Sequence, residues 1–243
     1  MRRDILEETF RLLARHFDLF TLIALTVWLP GHLVINYIDF FATSKGAADA
    51  AARGFRVGLM VEGVFGPLVV AATLAALARI KRGEPAGYAQ AMRDGFAIWP
   101  RLFIARLVAS ALVLAGLIAL VVPGVLVLVR LCFVDALVVL DGAPLGAAFR
   151  ASNALTAGRR PAIFWTGGFL FVAVFSLAMT LSALAGAADH FVVQVLVDCV
   201  IAVMQTVFTI ALFLFYREAR HAAATAAPAA PADRRVRSAA EAA

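Results

Sequence analysis

Two ionisable residues lie inside an apolar segment that is long enough to cross a membrane. The segment "PGVLVLVRLCFVDALVVL" runs from Pro123 to Leu140 and contains Arg130 and Asp135. Charged side chains inside a bilayer are costly, and they mark either solute and ion pathways or buried pairs. The two residues are five positions apart, about 140° around a helix, so we expect them to contact different neighbours rather than each other.

Three more ionisable residues fall within other apolar segments: Glu62, Arg106 and Asp198. Counting 1.5 Å per residue from the segment ends places Arg130 at about the depth of Glu62 and Asp198, and Asp135 level with Arg106. We therefore predict an ion pair of Arg130 with Glu62 or Asp198, and a second pair of Asp135 with Arg106. Two interpretations of this polar cluster stay open: pairs that fix helix packing, or a pathway for a solute or ion.

The sequence contains no motif that indicates an enzyme active site or a metal centre. Motifs for metalloproteases, serine hydrolases, nucleotides and dinucleotides are absent. The two cysteines, Cys132 and Cys199, lie inside apolar segments without the spacing of a metal site or a disulfide framework. We therefore expect no catalytic residue, no metal and no cofactor, with an intramembrane lipid enzyme as the less favoured alternative.

The composition is that of a membrane protein. Of the 243 residues, 63% are hydrophobic, and the mean hydropathy is +0.90, whereas soluble domains are about 45–50% apolar. The net charge of +6 does not indicate nucleic-acid binding, because the basic residues flank apolar segments and no nucleic-acid-binding module is found. Acidic residues near the N-terminus do not fit a cleavable signal peptide, so we expect that segment to be retained.

Six apolar segments are long enough to cross a hydrocarbon core of about 30 Å as helices. The predicted spans are 18–41, 56–79, 102–122, 124–140, 162–186 and 191–215. "VVPG" at 121–124 predicts a turn that joins the third and fourth spans into an antiparallel hairpin, and "LPGH" at 29–32 is the strongest interruption within a span. The fold class is therefore all-α and polytopic, with a membrane domain at 1–220. The Ala/Pro-rich basic segment 221–243 predicts a disordered tail.

Basic residues are concentrated on one side of the predicted membrane domain. Seventeen Lys and Arg residues fall before the first span, between the second and third, between the fourth and fifth, and after the sixth, whereas only three fall on the other side. Cytoplasmic segments of membrane proteins carry this excess of positive charge. We therefore expect a multi-pass protein of a bacterial inner membrane with both termini in the cytoplasm.

Short amphipathic segments precede the first, third and fifth spans. Each places its less polar residues at i, i+3, i+4, i+7 and i+10, which is one face of a helix. The three faces are Leu6, Thr9, Phe10, Leu13 and His16; Tyr88, Ala91, Met92, Gly95 and Ile98; and Leu145, Ala148, Phe149, Ser152 and Leu155. Arg11, Arg93 and Arg150 occupy the same place in each, and "GEPAG" (83–87) and "GAPLG" (142–146) open the last two.

These segments predict short cytoplasmic helices, whose apolar faces lie at the membrane boundary or under the hairpins and whose arginines contact lipid head groups. Together with the spans they suggest three repeats of a helix and a hairpin. The alternative is chance similarity among amphipathic segments, since the faces and the "GxPxG" stretches align only with an insertion or deletion.

The region 121–164 carries a further pattern. It has a "PG" pair, an apolar run with an early arginine, an acidic residue and glycine at the exit, and a helix ending in "S-x-x-L-T-x-G-R". The residues of the pattern are Pro123, Gly124, Arg130, Asp141, Gly142, Ser152, Leu155, Thr156, Gly158 and Arg159. This pattern resembles the membrane domain of some glycerophosphoryl diester phosphodiesterases and of related YciC-like bacterial six-helix proteins.

The resemblance implies a six-helix fold and a membrane location, but not hydrolysis. In fused members of that family, the phosphodiesterase activity belongs to a separate barrel domain, which these 243 residues do not contain. The leading functional hypothesis is a non-enzymatic scaffold or lipid-interacting module in envelope homeostasis or partner regulation. Its partners would be membrane lipids and a membrane protein or a second copy. The alternative is a small-solute or ion transporter that uses the intramembrane charges.

Overall fold

The computed structural model describes residues 2–41, 47–188 and 190–226, and within them all regular structure is helical. The helices are α1 (Arg2–Arg15), α2 (Phe17–Phe41), α3 (Ala47–Lys81), α4 (Tyr88–Ala119), α5 (Val121–Leu131), α6 (Val134–Leu140), α7 (Leu145–Thr156), α8 (Arg160–Ala188) and α9 (Phe191–Ala226). Six stretches are long and apolar enough to cross a membrane: α2, α3, α4, α5 with α6, α8 and α9. The predicted all-α, six-span fold is confirmed.

The third and fourth spans form the predicted hairpin, but its turn lies just before 121–124. Helices α4 and α5 are separated by the single extended residue Leu120. Pro123 lies in the first turn of α5, where a missing N–H costs no helical hydrogen bond. Gly124 has a packing role, because a Cβ added to it would lie 2.6 Å from Leu117 N. The glycine thus allows a close approach of the α4 and α5 backbones.

The interruption expected at 29–32 is absent, because α2 continues through Pro30. Proline is tolerated in membrane helices when neighbouring groups satisfy the backbone atoms that it frees. The adjacent Gly31 allows α2 to pack closely on α3, since an added Cβ would lie 2.8 Å from Val61 Cγ1. A span is broken elsewhere, between α5 and α6.

The hydroxyl of Ser152 in α7 forms hydrogen bonds with the backbone on both sides of this break. The hydroxyl oxygen of Ser152, which is completely buried, accepts a hydrogen bond from the Phe133 N–H at 3.2 Å. The same hydroxyl donates to the carbonyl oxygen of Arg130 at 2.7 Å. Helix α7 therefore runs back along α6, and it supplies partners for two backbone groups that no water would reach in an apolar core.

The three amphipathic segments join their spans in different ways. Helices α1 and α7 are separate, whereas the middle segment is the first part of α4, which continues through Pro100 into the third span. The first glycines of the two "GxPxG" stretches, Gly83 and Gly142, both have positive φ, 73° and 62°. The helix caps differ, however, because Gly87 caps α4 while Pro144 caps α7. The difference of two positions accounts for the insertion or deletion in the sequence alignment.

The faces of the amphipathic segments pack against the protein core, where most of their residues are partly or fully buried. Thr9, Ala91 and Ala148, which occupy the same place in the three sets, are each at most 1% exposed. The face predicted for α1 is partly wrong, because Phe10 is 53% exposed and the buried stripe includes Ile5 instead. The structural feature that the three segments share is therefore one small buried residue at the same position of each.

Ion pairs tie the helix ends together at one end of the bundle. This basic end comprises α1, the connections 82–87, 141–144 and 157–159, and the last turns of α9. Lys81 pairs with Glu8. Two pairs hold α9: Arg159 Nη1 to Glu218 Oε1 at 3.2 Å, and Arg220 Nη2 to Asp141 Oδ2 at 3.3 Å. Helix α9 continues to Ala226, so the start of the expected tail is helical, and 227–243 lie outside the described residues.

Replacement of Ser152 tests whether the broken span depends on its hydroxyl. In Ser152→Ala, the Arg130 carbonyl and the Phe133 N–H lose their partner, so we expect the free energy of unfolding to fall by about 1–3 kcal/mol. The measurement is denaturant unfolding of the protein in mixed micelles. Ser110→Ala, at an exposed position of α4, is the matched control. Equal stability of the two variants would contradict the role of Ser152.

Candidate functional site

An intramembrane cavity of about 330 Å³ lies between α3, α4, α8 and α9, with Trp28 of α2 at its wall. Its polar side chains come from three helices. They are Glu62 of α3, Arg106 of α4, and Gln205, Thr206 and Thr209 of α9. The largest apolar side chains on its wall are Trp28, Phe171, Phe175 and Phe208. The cavity therefore brings together two of the five predicted intramembrane charges, Glu62 and Arg106.

The cavity exists because α8 packs unevenly on the bundle. Helix α8 packs mainly against α9 and touches α5, with little contact to α3 or α4. Phe171 and Phe175 of α8 stack on each other with ring centroids 5.5 Å apart, and both line the cavity. Small residues on the facing walls, Gly66 of α3 and Ala202 of α9, leave space that larger side chains would fill.

The ion pair predicted between Asp135 and Arg106 is confirmed. Arg106 Nε lies 3.1 Å from Asp135 Oδ2, and the two side chains are 35% and 25% exposed. The guanidinium also extends toward Glu62: a Cβ added to Gly66 would lie 3.6 Å from Arg106 Nη1 and 3.1 Å from Glu62 Oε1. Arg106 is thus positioned between two carboxylates, and it is in direct contact with only one of them.

The pair predicted between Arg130 and either Glu62 or Asp198 is wrong. Arg130 is exposed, and among the described residues its guanidinium has no hydrogen bond or ion pair. Counting depth along the span is valid only for one continuous helix. In the structure the span breaks after Leu131, so Arg130 and Asp135 lie on separate helices, and the angle between their side chains is not the one expected for a single helix.

Asp198 lies beside a second cavity of about 80 Å³ that it lines with His32, Glu62 and Gln205. Its Oδ2 accepts a hydrogen bond from Asn36 Nδ2 at 2.8 Å, and its Oδ1 accepts one from Gln194 Nε2 at 3.3 Å. The side chains Trp28, Glu62 and Gln205 line both cavities. The two cavities are therefore neighbours with a shared wall.

Several polar residues of the site were not among those selected from the sequence. His32, Asn36, Gln194 and Gln205 carry no permanent charge, so a selection of charged side chains within the spans leaves them out. An inventory of every amide and imidazole inside an apolar segment would have found them. In the part of the chain that the structure describes, no three His, Cys, Asp or Glu side chains lie close enough together to hold a metal ion.

The charge balance around the cavities is negative. The basic side chain nearest to Glu62 is Arg106, which is paired with Asp135. Asp198 is hydrogen-bonded to two neutral amides. Among the described side chains, neither Glu62 nor Asp198 has a basic group within ion-pair distance. Glu62 is exposed on the cavity wall and Asp198 is half-buried, and a carboxylate without a basic partner inside a membrane is costly.

The remaining predicted residues lie near the basic end. Arg11, Arg93 and Arg150 are exposed, on helices whose opposite faces are buried. Gly142 and Gly158 have positive φ values, which L side chains rarely adopt.

The rest of the 121–164 pattern also supports packing at this end. Leu155 packs against the core, and Thr156 is buried and bonds to the Asn153 carbonyl at 3.1 Å. With Asp141 and Ser152, these residues hold the connections around α7 in place.

Comparison of the chain with models of protein families, with curated proteins and with solved structures found no match. The resemblance carried by 121–164 therefore stays a prediction, and the site is interpreted from its geometry.

A double-mutant cycle measures the Arg106–Asp135 interaction. Removing one partner of a fully buried pair costs about 3–5 kcal/mol; because these side chains are partly exposed, we expect about 1–3 kcal/mol for Arg106→Gln or Asp135→Asn. The double variant should be less destabilised than the sum, with a coupling energy of roughly 1–2 kcal/mol. The free energies come from unfolding in micelles. Arg130→Gln is the control, expected to change stability by less than about 0.5 kcal/mol. Additive single effects would show that the pair is not coupled.

Proposed function

We propose that the protein is a transporter that binds a small organic cation in the larger intramembrane cavity. Glu62 is the counter-ion, and the aromatic side chains contact the rest of the ligand. The observation that carries this proposal is that Glu62 lines the cavity without a basic partner in direct contact. The ligand class follows from the charge, the wall and the size of the cavity.

The charge of the site favours a cation over an anion. Glu62 and Asp198 would repel an anion, while Arg106 is engaged by Asp135. A ligand ammonium or guanidinium group next to Glu62 would compensate a carboxylate that the apolar surroundings otherwise penalise. The polar groups of Gln205 and Thr209 supply further hydrogen-bonding positions on the same wall.

The wall and the size of the cavity favour an organic ligand. Trp28, Phe171 and Phe175 present aromatic surface, and a cation within about 6 Å of such a ring gains about 0.5–2 kcal/mol. The volume of about 330 Å³ lies at the lower end of the range for small-molecule sites, about 300–1,000 Å³. The ligand is therefore small, with its charge on a compact group.

The depth of the cavity fits a transporter. Glu62 is six residues from the start of its span at Arg56, or about 9 Å along the helix axis. Phe171 of α8 is eleven residues from Arg160, where α8 begins at the basic end, or about 16 Å along the helix axis. Glu62 and Phe171 are thus counted from opposite sides of the membrane. Substrate sites of transporters lie near the bilayer midplane. We place the protein in a bacterial inner membrane with the basic end toward the cytoplasm, on the excess of Lys and Arg there.

Binding and uptake of tetraethylammonium test this function. In lipid nanodiscs, we expect wild-type protein to bind this cation with quenching of tryptophan fluorescence, and Glu62→Gln to bind at least about tenfold more weakly, a loss of about 1.4 kcal/mol. Gly66→Ala, which keeps every charge but narrows the cavity beside Glu62, should also weaken binding.

The matched control is Glu7→Gln, because Glu7 is exposed on α1 at the basic end. Uptake of radiolabelled tetraethylammonium into proteoliposomes should follow the same order as binding. Uptake that is the same with Glu62→Gln, with wild-type protein and with protein-free vesicles would refute the proposal.

A second candidate function is interaction with anionic lipids at the basic end. It is favoured by the exposure of Arg11, Arg93 and Arg150 on three helices whose opposite faces are anchored in the core. Each arginine near a membrane surface contributes about 1 kcal/mol to the binding of anionic lipids. This role is compatible with transport, since it uses a different surface.

Stabilisation by anionic lipid tests the second function. Added phosphatidylglycerol should raise the melting temperature of the wild-type protein in neutral detergent. The variant Arg11→Gln, Arg93→Gln, Arg150→Gln should lose most of that increase, because three arginines together contribute about 3 kcal/mol. Phosphatidylcholine is the control lipid and should stabilise both proteins equally. An unchanged response of the triple variant to phosphatidylglycerol would contradict the assignment.

A further inference from the structure

We infer that the smaller cavity is a proton-binding site formed by His32, Glu62 and Asp198, and that its proton is exchanged for the cation that binds at Glu62. The exchange rests on the proposed function, whereas the proton site is argued from the geometry of the smaller cavity alone.

The groups that line the smaller cavity are suited to hold a proton. The Nε2 atom of His32 is buried and has no hydrogen-bond partner, and the imidazole shares a cavity of about 80 Å³ with the Asp198 carboxylate. Such a volume has room for water, which takes about 30 Å³ per molecule in the liquid. Water between the imidazole and the carboxylates would connect them by hydrogen bonds.

The Asp198 carboxylate is held in place by neutral groups. Asn36, itself buried, donates to both the His32 carbonyl oxygen at 2.9 Å and Asp198 Oδ2 at 2.8 Å. Gln194 donates to Asp198 Oδ1. These contacts fix the position of the carboxylate without compensating its charge. A proton taken up by the cavity would supply the positive charge that these neutral donors do not.

Among the described side chains, the ionisable groups that line the smaller cavity with Asp198 come from two of the helices packed on α9. Helix α2 contributes His32 to the shared cavity, and α3 contributes Glu62. Helix α8 has no ionisable side chain between Pro161 and Ala188, and α1 contacts α9 nearer the basic end, around Val207. The nearest described guanidinium on the cavity walls is that of Arg106, on the far side of Glu62. Two carboxylates and one imidazole thus share the site.

The two cavities are linked because Glu62 lines both. A cation beside Glu62 adds positive charge next to the proton site, so it favours loss of the proton from the smaller cavity. By thermodynamic reciprocity, a bound proton weakens cation binding by the same factor. One positive charge then replaces another, and the total charge of the site stays constant during transport.

An infrared titration tests the proton site without any cation. Wild-type protein in nanodiscs of phosphatidylcholine is titrated between about pH 4 and pH 9, a range that covers shifted carboxyl and imidazole groups. We expect a pH-dependent band of the groups that line the smaller cavity, which disappears in Asp198→Asn and changes its midpoint in His32→Gln.

Asp94→Asn is the matched control, because Asp94 accepts a hydrogen bond from Gln90 with the same i, i+4 spacing, but it lies near the basic end, away from both cavities. A spectrum that Asp198→Asn leaves unchanged would overturn the proton site. If Asp198→Asn is not recovered as folded protein, Glu62→Gln serves instead and should shift the midpoint of the same band.

Proton release tests the exchange. Tetraethylammonium is added to the protein in weakly buffered solution with a pH-indicating dye. We expect wild-type protein to release protons as the cation binds, and Asp198→Asn to bind the cation but release few or none. Binding without release in the wild type overturns the exchange and leaves the proposed function standing. A pH-dependent band that Asp198→Asn removes, in a protein that binds no cation, overturns the proposed function and leaves the proton site.

Discussion

The fourth span is broken inside an apolar core, and the bilayer offers no water to the backbone groups that the break frees. An unpaired amide or carbonyl in such surroundings costs several kcal/mol, so each must find a partner within the protein. The hydroxyl of Ser152 bonds to both the Arg130 carbonyl and the Phe133 N–H. The ion pairs and hydrogen bonds around the cavities depend on these two hydrogen bonds of Ser152, because they fix the position of α6 relative to α5.

The placement of α6 determines the electrostatics of the cavities. With the span broken, Asp135 contacts Arg106 of α4, while Arg130 remains exposed. The one guanidinium at the larger cavity is therefore already paired, and neither Glu62 nor Asp198 has a direct basic partner among the described residues. A continuous fourth helix would direct these side chains differently. The negative character of the site thus follows from a backbone feature more than from the composition of the spans.

The sequence predicts the membrane-spanning helices more accurately than the side-chain contacts between them. The six spans follow from apolar length, and the Asp135–Arg106 pair follows from depth counted along the helices. The Arg130 pair could not be predicted, because the break depends on Ser152, which comes from another helix. The second cavity was missed for a different reason: Asn36 and Gln205 are polar without charge, and their effect appears only when α2 and α9 are packed together.

Broken membrane helices often provide the ligand site in transporters, since their free backbone groups can bind a solute. Here Ser152 occupies those groups, so under the proposed function a ligand would bind through side chains instead. The space for one arises where α8 fails to pack on α3 and α4, whereas α7 and α6 are tightly held near the basic end. Access to Glu62 therefore depends on α8, which carries aromatic side chains and no charge between Pro161 and Ala188. Movement of α8 away from α3 would widen the cavity without breaking an ion pair of the described residues, because the charged side chains lie on the other walls.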